Sequence, residues 1–531
     1  MTFRKTACIA TLLMSCPILC QAADATHSAS DCNNTVTVVD STEPTFFGGA
    51  AGDILSEEID RAEASYNTIT VTNSTGINGI FGGLATVYCT EGNVGNPEAS
   101  AIANGNWVTV TDSKADYVPP ETYDPDSGEM IASINAITGG LTSSTVMDGA
   151  VFNKDCAVKG TFAANGNTVV LNGGSYVDTY ITGGSASRLW YVEEDYSEDT
   201  PRIPNVDTSA LTVEAKDNRI ELRNGSNGEA PDFNGTCLLI GGWARFVLAS
   251  PIDSSSAELG YKTLSTVNGT VSGNSLNFYD VKGMKAGNIM GFQSLNYEYT
   301  EMHAGDVILE LTGNYLESEG GAYKPSTVTG QKTSIADAKV TVSVGRLYGK
   351  DNGDSQAGDK IILLKNDNGL DVTGIQKSVS IIKGDTLLEY DAVIESNETE
   401  LYLINRGLKA QSGTKALAEG AAAGLALVNE SANTSIEFLR DFSLSAGSVT
   451  PFVHVQASSM RHETGSSINL STVSLLAGLG TGFETGAGKL SAGAFFEYGK
   501  GSYTTHNSFD SRSDIDGDGN SWYMGGGILA K

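Results

Sequence analysis

Basic residues, histidine and proline are scarce in this chain of 531 residues. Lysine and arginine number 33 against 63 aspartates and glutamates, so the formal charge is −30, and there are only five histidines and twelve prolines. A nucleic-acid-binding protein needs a basic face that displaces counterions from phosphate. The charge therefore excludes nucleic acid as the expected partner and suits a protein that stays soluble at a surface or outside the cell.

Long hydrophobic runs are missing beyond the N-terminus. No later segment approaches the ~18 apolar residues of a membrane-spanning helix, so a membrane stage would require a closed β-barrel. Near the N-terminus, two basic residues precede an apolar segment, Ala7–Leu19, and a small-x-small site that ends at Ala22. This pattern predicts a secretory signal peptide over residues 1–22. A transmembrane helix and a lipoprotein signal at Cys16 are the alternatives.

Cysteine is also sparse. Three of the seven cysteines fall in the predicted signal, which leaves Cys32, Cys89, Cys156 and Cys237. An even number in an exported chain permits two disulfides, with three possible pairings that the sequence does not distinguish. We prefer sequential pairing, Cys32 with Cys89 and Cys156 with Cys237. None lies in a CxxC motif or beside a histidine, which argues against a metal or redox role.

Glycine, threonine, serine, asparagine and valine are abundant and favour short strands and turns. Residues 23–261 contain β-prone runs broken by Gly, Asn and Asp, such as Thr35–Val39, Thr68–Thr72 and Trp107–Thr111. In Asn167–Gly184, two runs flank a Gly-Gly corner, as a coil of a parallel β-helix requires, because such corners need positive φ. No strict period is present, and a β-sandwich is the alternative.

Two acidic segments interrupt these runs. Tyr117–Met130 holds three prolines and is predicted to protrude as a loop. Tyr191–Pro201 is densely acidic. A solvated loop is the prediction for it, and a cation or partner site is the alternative.

The predicted strands become longer and more regular in residues 262–405, which we treat as a distinct C-terminal section of the β region. Residues 406–442 hold a linker and one helical pattern, Thr414–Phe442. A run of small residues, Ala421–Gly424, leaves one side of this helix thin. Apolar residues at spacings of three and four predict a single stripe along the helix: Leu417, Ala421, Leu425, Val428, Ala432, Ile436 and Leu439.

Residues 443–531 alternate with period two in four predicted strands between Ser448 and Lys531. Apolar residues on one face and small or polar residues on the other are typical of outer-membrane barrel strands, although a soluble sheet with one wet face also alternates. The predicted apolar face comprises Val449, Pro451, Val453, Val455, Ala457, Val473, Leu475, Ala477, Leu479, Phe483, Leu490, Ala492, Ala494, Phe496, Tyr498, Trp522, Met524, Ile528 and Ala530.

Several segments resemble the autotransporters, the type V secretion proteins whose C-terminal barrel accompanies export of an N-terminal passenger. The resemblance covers about half of the chain, and the helix with the first strand is its most specific part. The matching segments are Val271–Tyr299, Ala304–Gly313, Ala357–Leu364, Ala416–Thr434 and Thr450–Leu470.

The resemblance implies a mainly β protein with a right-handed parallel β-helix-like passenger, a linker α-helix and an antiparallel outer-membrane β-barrel threaded by the helix. It makes residues 262–405 a junction section that nucleates passenger folding. About four strands of some twelve are present and the family's terminal aromatic residue is missing, so we expect a fragment truncated within the barrel. The implied partners are the outer membrane, the barrel-assembly machinery and a ligand on a host or neighbouring cell. The implied location is the outer membrane or surface of a Gram-negative bacterium.

No catalytic, cofactor-binding or metal site is predicted. Gly353-Asp354-Ser355 is similar to a protease nucleophile motif but lacks its continuation, and a turn is the prediction there. His27 and His303 have no triad-like context. In His462-Glu463 the start of an HExxH motif lacks its second histidine. There is no GxSxG motif, and the glycine-rich Gly478–Gly488 fits a strand instead.

Asp514–Asn520 has the first half of an EF-hand calcium loop, but Gly525 stands where the bidentate glutamate belongs. A polar surface loop is predicted, with calcium binding as the alternative. The function predicted for the whole chain is that of an autotransporter-type adhesin or surface-display protein, not an enzyme. The alternatives are a soluble secreted binding protein and a secreted hydrolase of protein or glycan, whose acidic groups would be Glu193, Glu194, Asp195, Glu198 and Asp199.

Overall fold

The computed structural model describes residues 28–52, 61–87, 100–116, 135–144, 151–152, 155–192, 205–251, 261–316, 327–328, 330–381, 388–410, 412–463, 467–486, 488–509 and 513–531. These residues are mainly β and include one helix, which confirms the coarse class. The predicted signal peptide, Tyr117–Met130 and the five acidic candidates between residues 193 and 199 lie outside them. The chain divides into two compact units, Met1–Gly384 with Tyr390–Gly407, and Asp385–Glu389 with Leu408–Lys531.

Short strands fill the first half of the chain. They are β1 Ser28–Ser30, β2 Thr35–Val39, β3 Thr45–Phe47, β4 Ala50–Ala51, β5 Arg61–Glu63, β6 Thr68–Thr72, β7 Gly79–Val87, β8 Ser100–Ile102, β9 Trp107–Thr111, β10 Lys114–Asp116, β11 Asn135–Ser144, β12 Val151–Phe152, β13 Cys156–Ala163, β14 Thr168–Asn172, β15 Ser175–Val177, β16 Thr179–Val192, β17 Val206–Lys216, β18 Arg219–Arg223, β19 Asp232–Asn234, β20 Leu238–Pro251 and β21 Tyr261–Asn268.

The remaining elements run to the end of the chain. They are β22 Thr270–Ser272, β23 Ser275–Tyr279, β24 Met284–Ala286, β25 Asn288–Met290, β26 Ser294–His303, β27 Val307–Leu311, β28 Tyr315–Leu316, β29 Thr327–Val328, β30 Thr333–Ser334, β31 Lys339–Tyr348, β32 Lys360–Asn366, β33 Leu370–Asp371, β34 Gln376–Ile381, β35 Leu388–Ser396, β36 Glu400–Ala410, α1 Ser412–Asp441, β37 Val449–Glu463, β38 Ser467–Thr485, β39 Gly488–Phe509 and β40 Ser513–Ala530.

Parallel pairing organises the first unit. One nine-stranded sheet has the order β2-β6-β9-β14-β18-β23-β26-β31-β34. Its strands follow one another in chain order, although other strands intervene between them. From β2 to β23 the chain visits two other sheets between successive strands of this order, one containing β7, β11, β16 and β20 and one containing β8, β13, β17 and β22. Such pairing differs from the antiparallel sheets of a β-sandwich.

A ladder of buried asparagines joins the successive strands. Asn67, Asn106, Asn167, Asn218 and Asn274 each stand one residue before a strand of the nine-stranded sheet, and none is more than 1% exposed. The Oδ1 atom of each accepts a hydrogen bond from the backbone N–H of the preceding ladder residue, at 2.9–3.0 Å. Buried polar groups are thereby paired, as a low-dielectric core requires.

Paired glycines lie directly against this ladder. Gly83, Gly140, Gly184 and Gly242 are neighbours in register across β7, β11, β16 and β20. A Cβ atom on Gly140 would stand 2.6 Å from Asn167 Nδ2 and 2.2 Å from a backbone carbonyl oxygen. Glycine is required there because the asparagine side chain occupies the space of a Cβ.

Apolar side chains from the successive strands fill the interior of the first unit. The largest fully buried ones are Tyr176, Tyr297, Phe162, Phe246 and Phe278, and the Phe278 and Tyr297 rings stack at 4.6 Å. Burial of each such side chain stabilises the fold by roughly 1.5–3 kcal/mol. Alternation of buried and exposed residues within each strand therefore determines which face of the strand points into the core.

In the second unit, α1 precedes an antiparallel sheet with the order β37-β38-β39-β40. The four predicted strands and the predicted helix are both confirmed, and the helix bounds differ from the prediction by at most two residues. The prediction of a loop at Asp514–Asn520 is wrong, because these residues lie inside β40, where Asp518 pairs with Thr504 of β39.

Candidate functional site: an apolar sheet face backed by a helix

One band of the four-stranded sheet is in register across all four strands. Val449–Ala457 pairs with residues 473–481, these pair with residues 492–500, and those pair with Trp522–Ala530. Nine residues of extended strand span about 30 Å. The apolar residues of the four strands are therefore aligned in one continuous band.

The apolar face of this band is exposed. The two-faced pattern predicted for the strands is confirmed, with exposures of 65% at Val453, 64% at Trp522 and 88% at Ile528. Thirteen large apolar side chains share this face: Val449, Val453, Val455, Val473, Leu475, Leu479, Phe483, Leu490, Phe496, Tyr498, Trp522, Met524 and Ile528. The sheet thus exposes a broad apolar surface on its uncovered side, where a soluble sheet with one wet face carries polar residues.

The other face is rich in glycine, and neighbouring side chains fill the space that glycine leaves. A Cβ on Gly480 would lie 2.5 Å from Leu444 Cδ1, and one on Gly501 would lie 3.1 Å from Leu427 Cδ1 of α1. The strand prediction for Gly478–Gly488 is confirmed for Gly478–Thr485, which lies in β38, whereas Gly486 lies in the turn that precedes β39. The glycines allow α1 to approach the sheet closely.

The orientation of α1 differs from what an apolar stripe ordinarily indicates. Leu425, Val428 and Ile436 of the predicted stripe face away from the sheet and are 67%, 47% and 64% exposed. The covered face of the sheet combines glycines and polar groups with the buried side chains of Phe452, Leu470 and Leu476, so small, polar and single apolar helix residues pack against it. The buried helix residues are Glu419, Ala423, Leu427, Ser431 and Ser435.

A buried carboxylate links the helix to two strands. Glu497 of β39 is 9% exposed and accepts hydrogen bonds from the Ser431 hydroxyl of α1 and from Tyr523 Oη of β40, the latter at 2.6 Å. Nearby, the Phe438 ring stacks on His454 with centroids 4.5 Å apart. A cavity of about 10 Å³ adjoins Ser431, which is room for about one water. The sequence placed Glu497 on the covered face, but its helix partner depends on the rotation of α1.

The protease-like residues form a structural turn. Asp354 accepts a hydrogen bond from Arg346 at 2.8 Å, and buried Ser355 Oγ accepts one from Asn405 Nδ2 at 2.9 Å. His303 stacks on Tyr348. These contacts hold the turn in place, as predicted.

The two other motifs lie in extended strands. Asp514–Asn520 lies in β40, and the extended backbone of this strand differs from the tight loop of an EF-hand. His462 is exposed in β37, and its Nε2 atom lies 3.0 Å from Met460 Sδ. Ser466 lies outside the described residues.

The cysteine prediction is wrong. Cys32 and Cys237 are both free, so neither sequential disulfide is formed. Cys237 is fully buried, and its Sγ lies 3.0 Å from the Tyr176 carbonyl oxygen and 3.1 Å from that of Asn234. These backbone carbonyl oxygens are the polar partners of the Cys237 thiol, which is packed within the core.

Sequence reasoning missed the asparagine ladder because its spacing varies. Successive ladder residues from Asn34 to Gln293 are 33, 39, 61, 51, 56 and 19 residues apart, since loops of different length interrupt the circuits. An Asn before a β-prone run, followed by Gly-Gly in the next run, was the available signal.

No helix within the described ranges has the length and hydropathy to cross a membrane. In the same ranges, no three His, Cys, Asp or Glu side chains converge on a common point. No family model, curated protein or solved structure matches the chain. Function must therefore be argued from the geometry of these two units.

Proposed function

We propose that the chain is an autotransporter-type cell-surface protein. In this proposal an adhesin or display passenger is exported with the help of a C-terminal segment that forms part of an outer-membrane β-barrel around α1. The observation that carries the proposal is the broad exposed apolar face of the four-stranded sheet, whose opposite face, rich in glycine and holding Glu497, lies against a helix.

The energetic argument rests on the size of the apolar face. Monomeric soluble proteins rarely expose contiguous apolar patches above a few hundred Å². Transfer of thirteen large side chains from water to lipid is favourable by on the order of 20 kcal/mol, at roughly 1.5–3 kcal/mol for each one fully buried. Lipid is the environment that supplies this free energy on one side of a sheet.

The dimensions of the band agree with this proposal. A transmembrane β-strand needs about 9–11 residues, and the aligned band has nine in each strand. Tyr498 and Trp522 lie near one end of the band, where barrels carry aromatic girdles. Inside, Glu497, Ser431 and Tyr523 satisfy one another, as polar groups at membrane depth must.

The first unit supports the passenger half of the proposal. Up to β23, its strands pair in parallel with strands one circuit later and visit three sheets in turn, which supports the proposed β-helix-like passenger. Right-handed winding follows the general preference of parallel crossovers. The paired backbone and the asparagine ladder join successive circuits by internal hydrogen bonds, which suits an exported display domain.

Expression in a Gram-negative host of the chain fused to further strands that close the proposed barrel tests the proposal, because four strands alone leave an open edge in lipid. We expect it in the outer-membrane fraction, resistant to carbonate extraction. An arginine at mid-band costs roughly 2–4 kcal/mol in lipid but little in water, so Val453→Arg should shift the chain out of the membrane fraction. Val39→Arg is the matched control, since Val39 is an exposed strand valine of the first unit.

The result that would contradict the proposal is equally specific. A chain found free in the medium, with Val453→Arg and Val39→Arg behaving alike, would instead identify a soluble secreted protein.

A further inference from the structure

The outward face of the nine-stranded sheet carries regular rows of polar side chains. Because the strands are paired in register, residues in equivalent positions stand side by side at the strand spacing of ~4.8 Å. One row runs Thr68, Trp107, Thr168, Arg219, and the next runs Thr70, Thr109, Val170, Glu221. This surface is continuous across at least four circuits of the chain.

An aromatic ring interrupts the threonines. Trp107 is 45% exposed, and its Nε1–H donates to Thr109 Oγ1 at 3.0 Å, which fixes the indole along the face. Thr168, its neighbour on the next strand, is only 8% exposed and stands between Trp107 and Arg219 in the row. Trp107 and Arg219 therefore lie on one face of the sheet, two strands or about 10 Å apart.

On β18, two strands from Trp107, one carboxylate pairs with two arginines. Arg219 Nε lies 2.6 Å from Glu221 Oε1, and Arg223 donates to Glu221 Oε2 at 2.7 Å. Glu221 is 4% exposed, whereas the arginine side chains are 42% and 46% exposed. Tyr279 lies under the Arg223 guanidinium, 4.2 Å from its carbon. The guanidinium groups are thus ordered, with N–H groups left over toward solvent.

We propose that this surface, the polar platform of Trp107, Thr109, Thr168, Arg219, Glu221 and Arg223, binds a linear polysaccharide that carries carboxylates, such as a chain of hexuronic acids. One pyranose ring stacks its apolar face on Trp107, and a carboxylate one or two sugars away pairs with Arg219 or Arg223. Hydroxyls of the saccharide chain bond to the partly exposed Thr109. The proposal extends the adhesin function by naming the ligand class, and it depends on that function only for surface exposure.

The chemistry of the platform favours a saccharide over other ligands. Small molecules need a concave pocket, and this face is an open sheet. A peptide that adds as a β-strand needs a free sheet edge, whereas β9, β14 and β18 are paired on both sides. Ordered guanidinium groups on a chain of charge −30 are the local complement of a carboxylate.

Calorimetry on the full chain in detergent micelles tests the proposal, with a hexamer of galacturonic acid as probe and maltohexaose as its neutral match. We expect the acidic hexamer to bind at least ten times more tightly, with affinity that falls as salt rises. Trp107→Thr should weaken binding about tenfold or more. Threonine occupies both neighbouring positions of the row, so this variant fits the strand, and Trp107→Phe should retain binding.

Arg223→Gln should weaken binding of the acidic hexamer about tenfold or more and leave maltohexaose unchanged. Lys339→Ala, on β31 at the far end of the same face, is the control. Equal affinity for both hexamers, no binding of either, an unaffected Trp107→Thr variant, or tighter binding of hexathymidylate would each overturn the proposal. Because binding is measured in solution, its failure is distinct from a failure of outer-membrane localisation.

Discussion

Asn167 donates both its backbone N–H and its Nδ2–H to Oδ1 of Asn218, each at 3.0 Å, across 51 residues of sequence. Asn106 donates in the same two ways to Oδ1 of Asn167. The side chains thus continue the hydrogen bonding of the parallel sheet around a corner. Since these groups are out of contact with water, the ladder links the stability of each circuit to the next.

Asn167→Ala should lower the free energy of unfolding of the first unit by about 3–5 kcal/mol. It removes the acceptor of two buried N–H groups of Asn106, and each unpaired group costs roughly 1–3 kcal/mol. Urea unfolding followed by circular dichroism measures the loss. Asn172→Ala in the same strand, where the amide bonds to part-exposed Thr111, should cost less than ~1 kcal/mol. Equal losses in the two variants would show that a ladder asparagine contributes no more to the free energy of unfolding than a part-exposed asparagine does.

Gly140→Ala should destabilise the same unit by about 3 kcal/mol. The new Cβ would stand 2.2 Å from the Ala103 carbonyl oxygen, and overpacking against backbone typically costs 1–3 kcal/mol or more. The comparison is Gly353→Ala, where a Cβ meets no atom within 4 Å and the change should stay within about 0.5 kcal/mol. Denaturation midpoints that moved together would refute the close approach.

Stability should fall at alkaline pH through Cys237. Burial raises the pKa of its thiol from 9.0 to about 11, so between these values the folded protein keeps a proton that the unfolded chain loses. The contribution is complete below pH 9 and is lost as the pH rises through about 11, by roughly 2–3 kcal/mol. Unfolding curves of the native chain and of Cys237→Ala, taken between pH 8 and pH 11, should converge by this amount. Parallel curves would contradict the expectation.

Glu497→Leu should loosen α1 from the sheet. The variant loses the acceptor for Ser431 and Tyr523, and hydrogen bonds to a charged group contribute roughly 1.5–3 kcal/mol each. Hydrogen exchange of the α1 amides in detergent should therefore quicken about a hundredfold. Glu497→Gln keeps an acceptor and should show a smaller effect, while Glu437→Leu, on an exposed helix position, should show none. An unchanged exchange rate in Glu497→Leu would mean that other contacts hold the helix.

Local pattern was sufficient for the elements and for the polarity of the C-terminal sheet. Thr35–Val39, Thr68–Thr72 and Trp107–Thr111 were predicted with the bounds of β2, β6 and β9, because alternation and flanking glycine or asparagine are properties of a few adjacent residues. The same alternation separated the exposed face of Val453 from the covered face of Gln456.

Long-range partners were not readable in this way. The disulfides were predicted from cysteine parity alone, whereas Cys237 is buried with backbone groups as its nearest polar neighbours. The loop predicted at Asp514–Asn520 became strand because pairing with β39 outweighed its turn-forming residues. The ion pairs of Glu221 with Arg219 and Arg223 join residues that alternate along one strand. Trp107, on the same face of the sheet, comes from more than a hundred residues earlier in the chain.

The strand and helix segments and the residues that share a strand face follow from the order of the amino acids, because they depend on the chemistry of neighbouring residues. The asparagines that stack, the side of α1 that meets the sheet and the aromatic and charged groups of the polar platform are set only when distant segments pack together. Those relationships depend on register between segments separated by loops of unequal length, and no local period records such a register.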